Sequence, residues 1–266
     1  ILLLSYFPKL QFIMISKLIN RSFMLVLNNI ITNNILILFK KDFLIKKYLN
    51  NWEKKEYDSE KSPQENVGYS HIPEIQKYFE KSHGILKNKV KKYFNNSNTV
   101  LEIGCGTGLF LRNFPENFKK TGQDLNIDFL KIALNSDPKL NIIHGDFLNV
   151  EINEKFDVIT CIGVLMYIPP SKINLFFDKI NNLLNDNGKI YFQYSHALLL
   201  KDTLYSDLSY VRYRPKFIEK KIKNKFKVLE HKHFFDNRKI TNYDKNRYYF
   251  PNGKNNRVDT IKNSYL

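Results

Sequence analysis

The chain has 266 residues, 43% apolar and 14% aromatic. That is enough to bury a large core, which excludes a globally disordered chain and suits one large domain with an appendage. Its formal net charge of +16 rests on 35 Lys against only 7 Arg, alongside 32 Asn; this reads as a compositional bias at surface positions rather than a dedicated phosphate-binding face, for which the Arg fork is the better tool. The two cysteines, Cys105 and Cys161, form neither a metal-ligand pattern nor a disulfide framework; they read as small buried residues of a reducing, cytoplasmic compartment.

The chain begins with Ile, not Met, which reads as a fragment or a read-through ahead of Met14. Residues 22–39 carry no formal charge and are flanked by Arg21 and Lys40-Lys41, a length that just spans a bilayer. Asn28, Asn29, Asn33 and Asn34 in its middle oppose that reading, because amides without partners are costly in hydrocarbon. No small-residue cleavage site follows, as a signal peptide would need. The expectation is an apolar helical extension over residues 1–56, packed on the domain or on a partner, with peripheral membrane contact through residues 1–39 as the alternative. Residues 57–71 are polar, punctuated by Tyr57, Tyr69 and His71, and read as a linker or lid before a domain at 72–266.

Pro73 suits the first turn of a helix. Ile75, Tyr78, Phe79, Ile85, Leu86, Val90 and Phe94 follow at helical spacing, with a break or kink expected at Gly84. Val100, Leu101 and Ile103 make a buried strand running into Gly104, Gly106 and Gly108, and Leu109, Phe110, Leu111 and Phe114 predict a helix beyond the turn. Such a strand–glycine–helix unit is a ligand site: glycines let a ligand approach bare backbone, and open α/β sheets bind at the carboxyl ends of strands. Further strands end at Asp124, at Gly145-Asp146 and beyond Phe156, Val158 and Ile159. A helix over Ile127–Leu134 follows the second, and another starting at Pro170-Ser171 follows the fourth and stops at Gly188. Ile190-Tyr191-Phe192 is a fifth strand. The tail predicts a helix near 215–224 and strands near 226–235 and 246–250 that pair antiparallel. The alternation means parallel strands with crossovers.

A nicotinamide dinucleotide site wants glycine at positions one, three and six. Counting from Gly104, position six is Leu109, and the turn reads Gly-x-Gly-x-Gly instead. With Glu102 ahead of it, Val100–Gly108 resembles the first motif of the class I S-adenosylmethionine-dependent methyltransferases. Gly122-Gln123-Asp124, Gly145-Asp146-Phe147, Phe156-Asp157-Val158-Ile159 and Leu183–Phe192 resemble the later ones, in order, over roughly residues 72–250. The resemblance implies an α/β, Rossmann-like, doubly wound and mostly parallel seven-stranded sheet with an antiparallel last strand, plus the N-terminal helical extension. It implies S-adenosyl-L-methionine as cofactor and no metal. Gly104, Gly106 and Gly108 would lie under the methionine part, Glu102 would position its amino end, Asp124 would accept from the ribose hydroxyls, Asp146 would meet the adenine amino group and Phe147 would pack on the ring. Cys105, Leu125 and Cys161 complete the implied cofactor contacts. Asp157 reads instead as a strand-start residue holding a loop.

Asn- or Asp-Pro-Pro-aromatic, the signature of members acting on adenine or glutamine amides, is absent after the fourth strand. Val164–Ile168 resembles the small-molecule branch, with Tyr167 where His is common. Tyr167 is therefore a candidate pocket wall, and His196, after the fifth strand, a candidate base. His144 reads as packed and hydrogen-bonded, and His231 and His233 do not make a metal site. Tyr205, Tyr210, Arg212, Tyr213 and Arg214 cluster where acceptor contacts are often built. The expected activity is methylation of a hydroxyl or similar group of a small molecule or glycan precursor. An RNA methyltransferase and a non-catalytic cofactor-binding regulator are the alternatives.

Overall fold

The computed structural model describes residues 49–68, 73–196, 203–206, 210–235 and 262–265. The expected apolar helix over most of residues 1–56, the uncharged stretch 22–39, Tyr69, His71 and the strand near 246–250 lie outside them. No helix among the described residues is long and apolar enough to cross a membrane.

Helix α1 (Pro63–Asn66) is one turn, with Ser62 and Glu65 forming a reciprocal capping box. Helix α2 (Pro73–Tyr93) begins at the expected proline but runs unbroken through Gly84. A Cβ at Gly84 would meet nothing within 4 Å, so the glycine sits on the open side while Phe79, Leu86 and Val90 hold the buried face. Strands β1 (Thr99–Ile103), β2 (Lys119–Asp124), β3 (Asn141–His144), β4 (Phe156–Ile162) and β5 (Leu184–His196) alternate with helices α3 (Ile127–Ser136) and α4 (Ile173–Leu183). The helix expected after the glycine turn is only a 3-10 turn at Leu111–Asn113. Pro115 forces Phe114 toward extended backbone, which leaves too few residues between Gly108 and Phe114 for a helix.

The sheet runs β3-β2-β1-β4-β5, parallel throughout. At the β5 edge, strand β7 (Tyr210–Tyr213) pairs in parallel at a single position and forms a hairpin with β6 (Thr203–Ser206). Helix α5 is Pro215–Ile222, and β8 starts only at Lys232 (Lys232–Phe235). Its antiparallel partner is β9 (Lys262–Tyr265), which also pairs antiparallel with β5.

Alternation along the strands sorts two cores. Val100, Val158 and Tyr191 face α2 and α3, whose Leu86, Val90, Leu130 and Ala133 complete one cluster. Leu101, Ile103, Ile159, Cys161 and Phe192 face the other way, onto Phe176, Phe177 and Ile180 of α4 and Ile218 and Ile222 of α5. Burial on both faces is why these strands read as continuous apolar runs.

Asp157 holds the amino-terminal edge, as expected for a strand-start residue. Its Oδ2 accepts from the Asn98 and Thr99 amides at 2.8 and 3.1 Å, and its Oδ1 from Asn185 Nδ2 at 2.8 Å. Burial pushes this carboxyl up, but the donors outweigh it and hold it below the ordinary 3.8. Asp157→Ala is expected to lower stability by about 1–2 kcal/mol at neutral pH. A depressed carboxyl stabilises the fold above its unfolded pKa and loses that contribution as pH falls through its folded one, so the gap between variant and wild type should close in strong acid. Urea titrations at pH 7 and pH 2.5 measure it; an equal gap at both would refute the assignment.

Candidate cofactor site

Strand order reverses between β1 and β4, which makes the carboxyl end of β1 the switch point where open α/β sheets bind ligands. The strand ends are level there: Ile103 pairs with both Gln123 and Cys161. The turn beyond β1 is stitched to β2, since the Cys105 amide donates to the Gln123 carbonyl at 2.9 Å and the Gly106 amide to Asp124 Oδ2 at 2.7 Å. Gly104 and Gly106 need their glycines twice over. Their φ values are +67° and +53°, and a Cβ would stand 2.2 Å from Val164 Cγ2 in the first case and 2.7 Å from Val67 Cγ1 in the second.

Glu102 is 1% exposed, and its Oε2 has no hydrogen-bond partner among the described residues. The parallel register pairs Glu102 with Gly122, so Glu102 and Asp124 emerge on one face of neighbouring strands. Burial, then the charge of Asp124, pushes the Glu102 carboxyl well up, against the favourable Leu111 amide. Burial also raises Asp124, against the amides of Asn126, Gly106 and Leu125 and the charge of His144. Two close carboxyls, with no ion pair to either among the described residues, call for a cationic ligand at the glycine turn. S-adenosylmethionine, with its ammonium and sulfonium, fits that donor set.

The remaining expected contacts divide. Leu125 is half-buried beside the turn, its carbonyl 3.1 Å from His144 Nε2; His144 is exposed rather than packed. Asp146 spends both oxygens inside its own turn, accepting from the Leu148 amide at 3.0 Å and Asn149 Nδ2 at 2.8 Å. Phe147 is corrected: it is 5% exposed, its ring lies 5.5 Å from that of Phe176, and Lys179 Nζ lies 5.1 Å from its centroid. It is core, facing α4. Cys161 is corrected likewise, because it is wholly buried inside β4 and offers no surface. Cys105 is buried at the turn, its thiol pushed well up by burial and then by Asp124 and Glu102, which leaves it an inert packing group. His196 ends β5, opposite Tyr213 and Lys262.

Trp52 and Asn126, which sequence reasoning passed over, lie across the site, beside the expected Tyr167. Phe129 follows β2 and Tyr167 follows β4, on either side of β1. The Trp52 ring lies 6.4 Å from each, so the segment carrying it crosses the carboxyl end of β1. Tyr57 adds an edge contact to Phe129 at 6.4 Å. Asn126, 2% exposed, caps α3 through Oδ1 and donates through Nδ2 to the Trp52 and Lys55 carbonyls at 2.8 and 2.7 Å. The signals available were that Trp52 is the chain's single tryptophan and that Asn stands just before a helical run.

Residues 76–245 match the family model described as a methyltransferase domain. An uncharacterized protein of Rickettsia prowazekii is 32% identical over 106 residues, 36% of this chain and 42% of that one. A malonyl-[acyl-carrier protein] O-methyltransferase of Ilyobacter polytropus is 29% identical over 130 residues, 47% and 46% of the two chains. A dTDP-3-amino-3,6-dideoxy-alpha-D-glucopyranose N,N-dimethyltransferase of Streptomyces fradiae is 30% identical over 73 residues, 27% and 29%. The chain thus spans less than half the length of these curated relatives. Among solved structures, the N-methyltransferase NodS of Bradyrhizobium japonicum, in complex with S-adenosylhomocysteine, superposes with a TM-score of 0.56 at 13% identity, over 82% of this chain and 95% of that one; at that identity the likeness is one of fold. The family model covers well over half of the chain and agrees with the glycine turn at the switch point, and the chain belongs to the methyltransferase-domain family, as a class I S-adenosylmethionine-dependent methyltransferase of Rossmann-like fold.

Proposed function

We propose that the protein transfers the methyl group of S-adenosylmethionine to a hydroxyl or similar group of a small molecule or glycan precursor, in the cytoplasm. The observation that carries the cofactor half is the buried Glu102 carboxyl set close to the half-buried Asp124 carboxyl beside the glycine turn. The bound cofactor supplies a methyl group already activated on a sulfonium sulfur, so the chain's task is alignment. Glu102 holds the ammonium end through its orphan oxygen. Asp124 accepts from the ribose hydroxyls with the lone pairs that Gly106 and Asn126 leave over. Gly104, Gly106 and Gly108 admit the methionine part to the backbone, with Cys105 and Leu125 beside them and Asp146 at the adenine end. Tyr167 walls the pocket, and His196, at the ligand edge of β5, is the base. The two buried free cysteines agree with a reducing compartment. We also infer that β9, lying between β5 and β8 and antiparallel to both, is the antiparallel seventh strand of the family sheet, with β8 the sixth.

For the acceptor, the support is the missing Asn- or Asp-Pro-Pro-aromatic motif after β4, where Pro169-Pro170 come late and without a polar leader, together with relatives that bear the names of acyl-carrier and amino-sugar methyltransferases. S-adenosylhomocysteine is expected to raise the melting temperature, since a ligand bound only to the native state stabilises it, and NAD is expected to leave it unchanged. The reverse pattern would refute the reading. Steeply salt-dependent RNA binding would move the acceptor to RNA, and cofactor binding without turnover on any acceptor would leave a regulatory module.

A further inference from the structure

We propose that residues 49–68 form a strap closed over the cofactor site, and that Asn126 is the positioning residue that latches it. The inference rests on the site reading above. Three sets of contacts join the strap to the ligand end of the sheet, and one holds the strap together. The Trp52 ring bridges Phe129 and Tyr167 across the end of β1. Asn126 Nδ2 donates to both the Trp52 and Lys55 carbonyls. Asn66, 1% exposed, ties the strap to itself, accepting the Asp58 amide at 2.9 Å and donating to the Asp58 carbonyl at 2.8 Å. That holds Val67 over Gly106, where an added Cβ would stand only 2.7 Å from Val67 Cγ1.

Asn126 is suited to couple strap and cofactor because one side chain and its own amide do three jobs. The Asn126 amide donates to Asp124 Oδ1 at 2.9 Å, its Oδ1 accepts from the Asp128 and Phe129 amides, and its Nδ2 holds the strap. A ligand that fills the space between Asp124 and Trp52 is therefore enclosed by the same residue that orients its acidic partner. Release requires the two Nδ2 bonds to open, so the latch sets how long the cofactor stays.

Asn126→Asp separates the latch from the cap. Aspartate is as good an N-cap as asparagine and keeps its backbone amide on Asp124, but it cannot donate to the Trp52 and Lys55 carbonyls. Expected are a lowered ligand-free melting temperature, because the carboxylate has no donor until the strap opens, a roughly tenfold faster release of S-adenosylhomocysteine, as loss of about 1.4 kcal/mol gives, and faster tryptic cleavage after Lys54 and Lys55. In wild type the ligand should slow that cleavage. Trp52→Ala, which alters a half-buried ring outside the sheet, should reproduce both effects and serves if the Asp variant fails to fold. Wild-type proteolysis and wild-type release in either folded variant would overturn the strap. If S-adenosylhomocysteine binds neither wild type nor variants, the site reading fails, while the ligand-free tryptic rates still decide the strap.

Discussion

Glu102→Gln is expected to make the ligand-free protein more stable and the cofactor complex weaker. The wild-type side chain buries an ionisable carboxyl with one oxygen unsatisfied and the Asp124 charge nearby. Removing its charge should stabilise the fold by about 1–3 kcal/mol at pH 7, or about 2–12 °C at the scale of a domain this size. The pH dependence has a definite sign. The folded carboxyl is held well above the ordinary 4.5. The folded state therefore binds the extra proton between 4.5 and its raised pKa, and wild-type stability falls as pH rises through that window. The Gln variant should lack that slope. Cofactor affinity runs the other way, because the cation prefers the ionised carboxylate: S-adenosylmethionine should bind wild type more tightly as pH rises, with proton release, and the variant about 10–100-fold more weakly. Calorimetry in buffers of different ionisation enthalpy reads the proton. Binding without proton release, or a variant with wild-type affinity, would remove Glu102 from the site.

Asp124→Ala is expected to abolish the S-adenosylhomocysteine melting shift and to destabilise the ligand-free protein. The carboxylate anchors the Gly106 and Asn126 amides at 2.7 and 2.9 Å. Each amide left without an acceptor costs about 1–3 kcal/mol. Lost binding and lost structure are separated by Asp124→Asn, whose Oδ1 keeps an acceptor at the turn while its amide no longer offers a carboxylate to a ribose diol. The Asn variant keeps an acceptor for only one of the two amides, so it should melt between wild type and the Ala variant, and should bind S-adenosylhomocysteine at least tenfold more weakly by isothermal titration, as loss of a charge-assisted pair implies. A full ligand shift in the Ala variant would place the ribose elsewhere.

The contrast between these carboxylates and Phe147 marks how far local sequence reaches. All three stand at strand ends beside glycine motifs. Whether a side chain meets the ligand edge or the core depends on strand parity and on what packs from the far side, and Phe176 on α4 claims Phe147. Cys161 is the same case, since one step of alternation decides its face. The helix expected beyond Gly108 failed for a local reason that was visible, Pro115, outweighed by helical spacing that the 3-10 turn also satisfies.

The sequence by itself determined the order of the five parallel strands and of helices α2 to α5, the glycine turn with Glu102 before it and Asp124 after it, and through them the family. Those features are local, carried by apolar runs, turn chemistry and motif spacing within a few dozen residues. Only the tertiary structure decided that Glu102 and Asp124 share one face, because that needs the parallel register of β1 on β2. Only it brought Trp52, Lys55 and Val67 over the glycine turn. Asn126 reaches the two carbonyls across 74 and 71 positions of chain, and a contact of that span leaves no periodicity to read, since its cost is loop closure and its reward appears only once the sheet has formed.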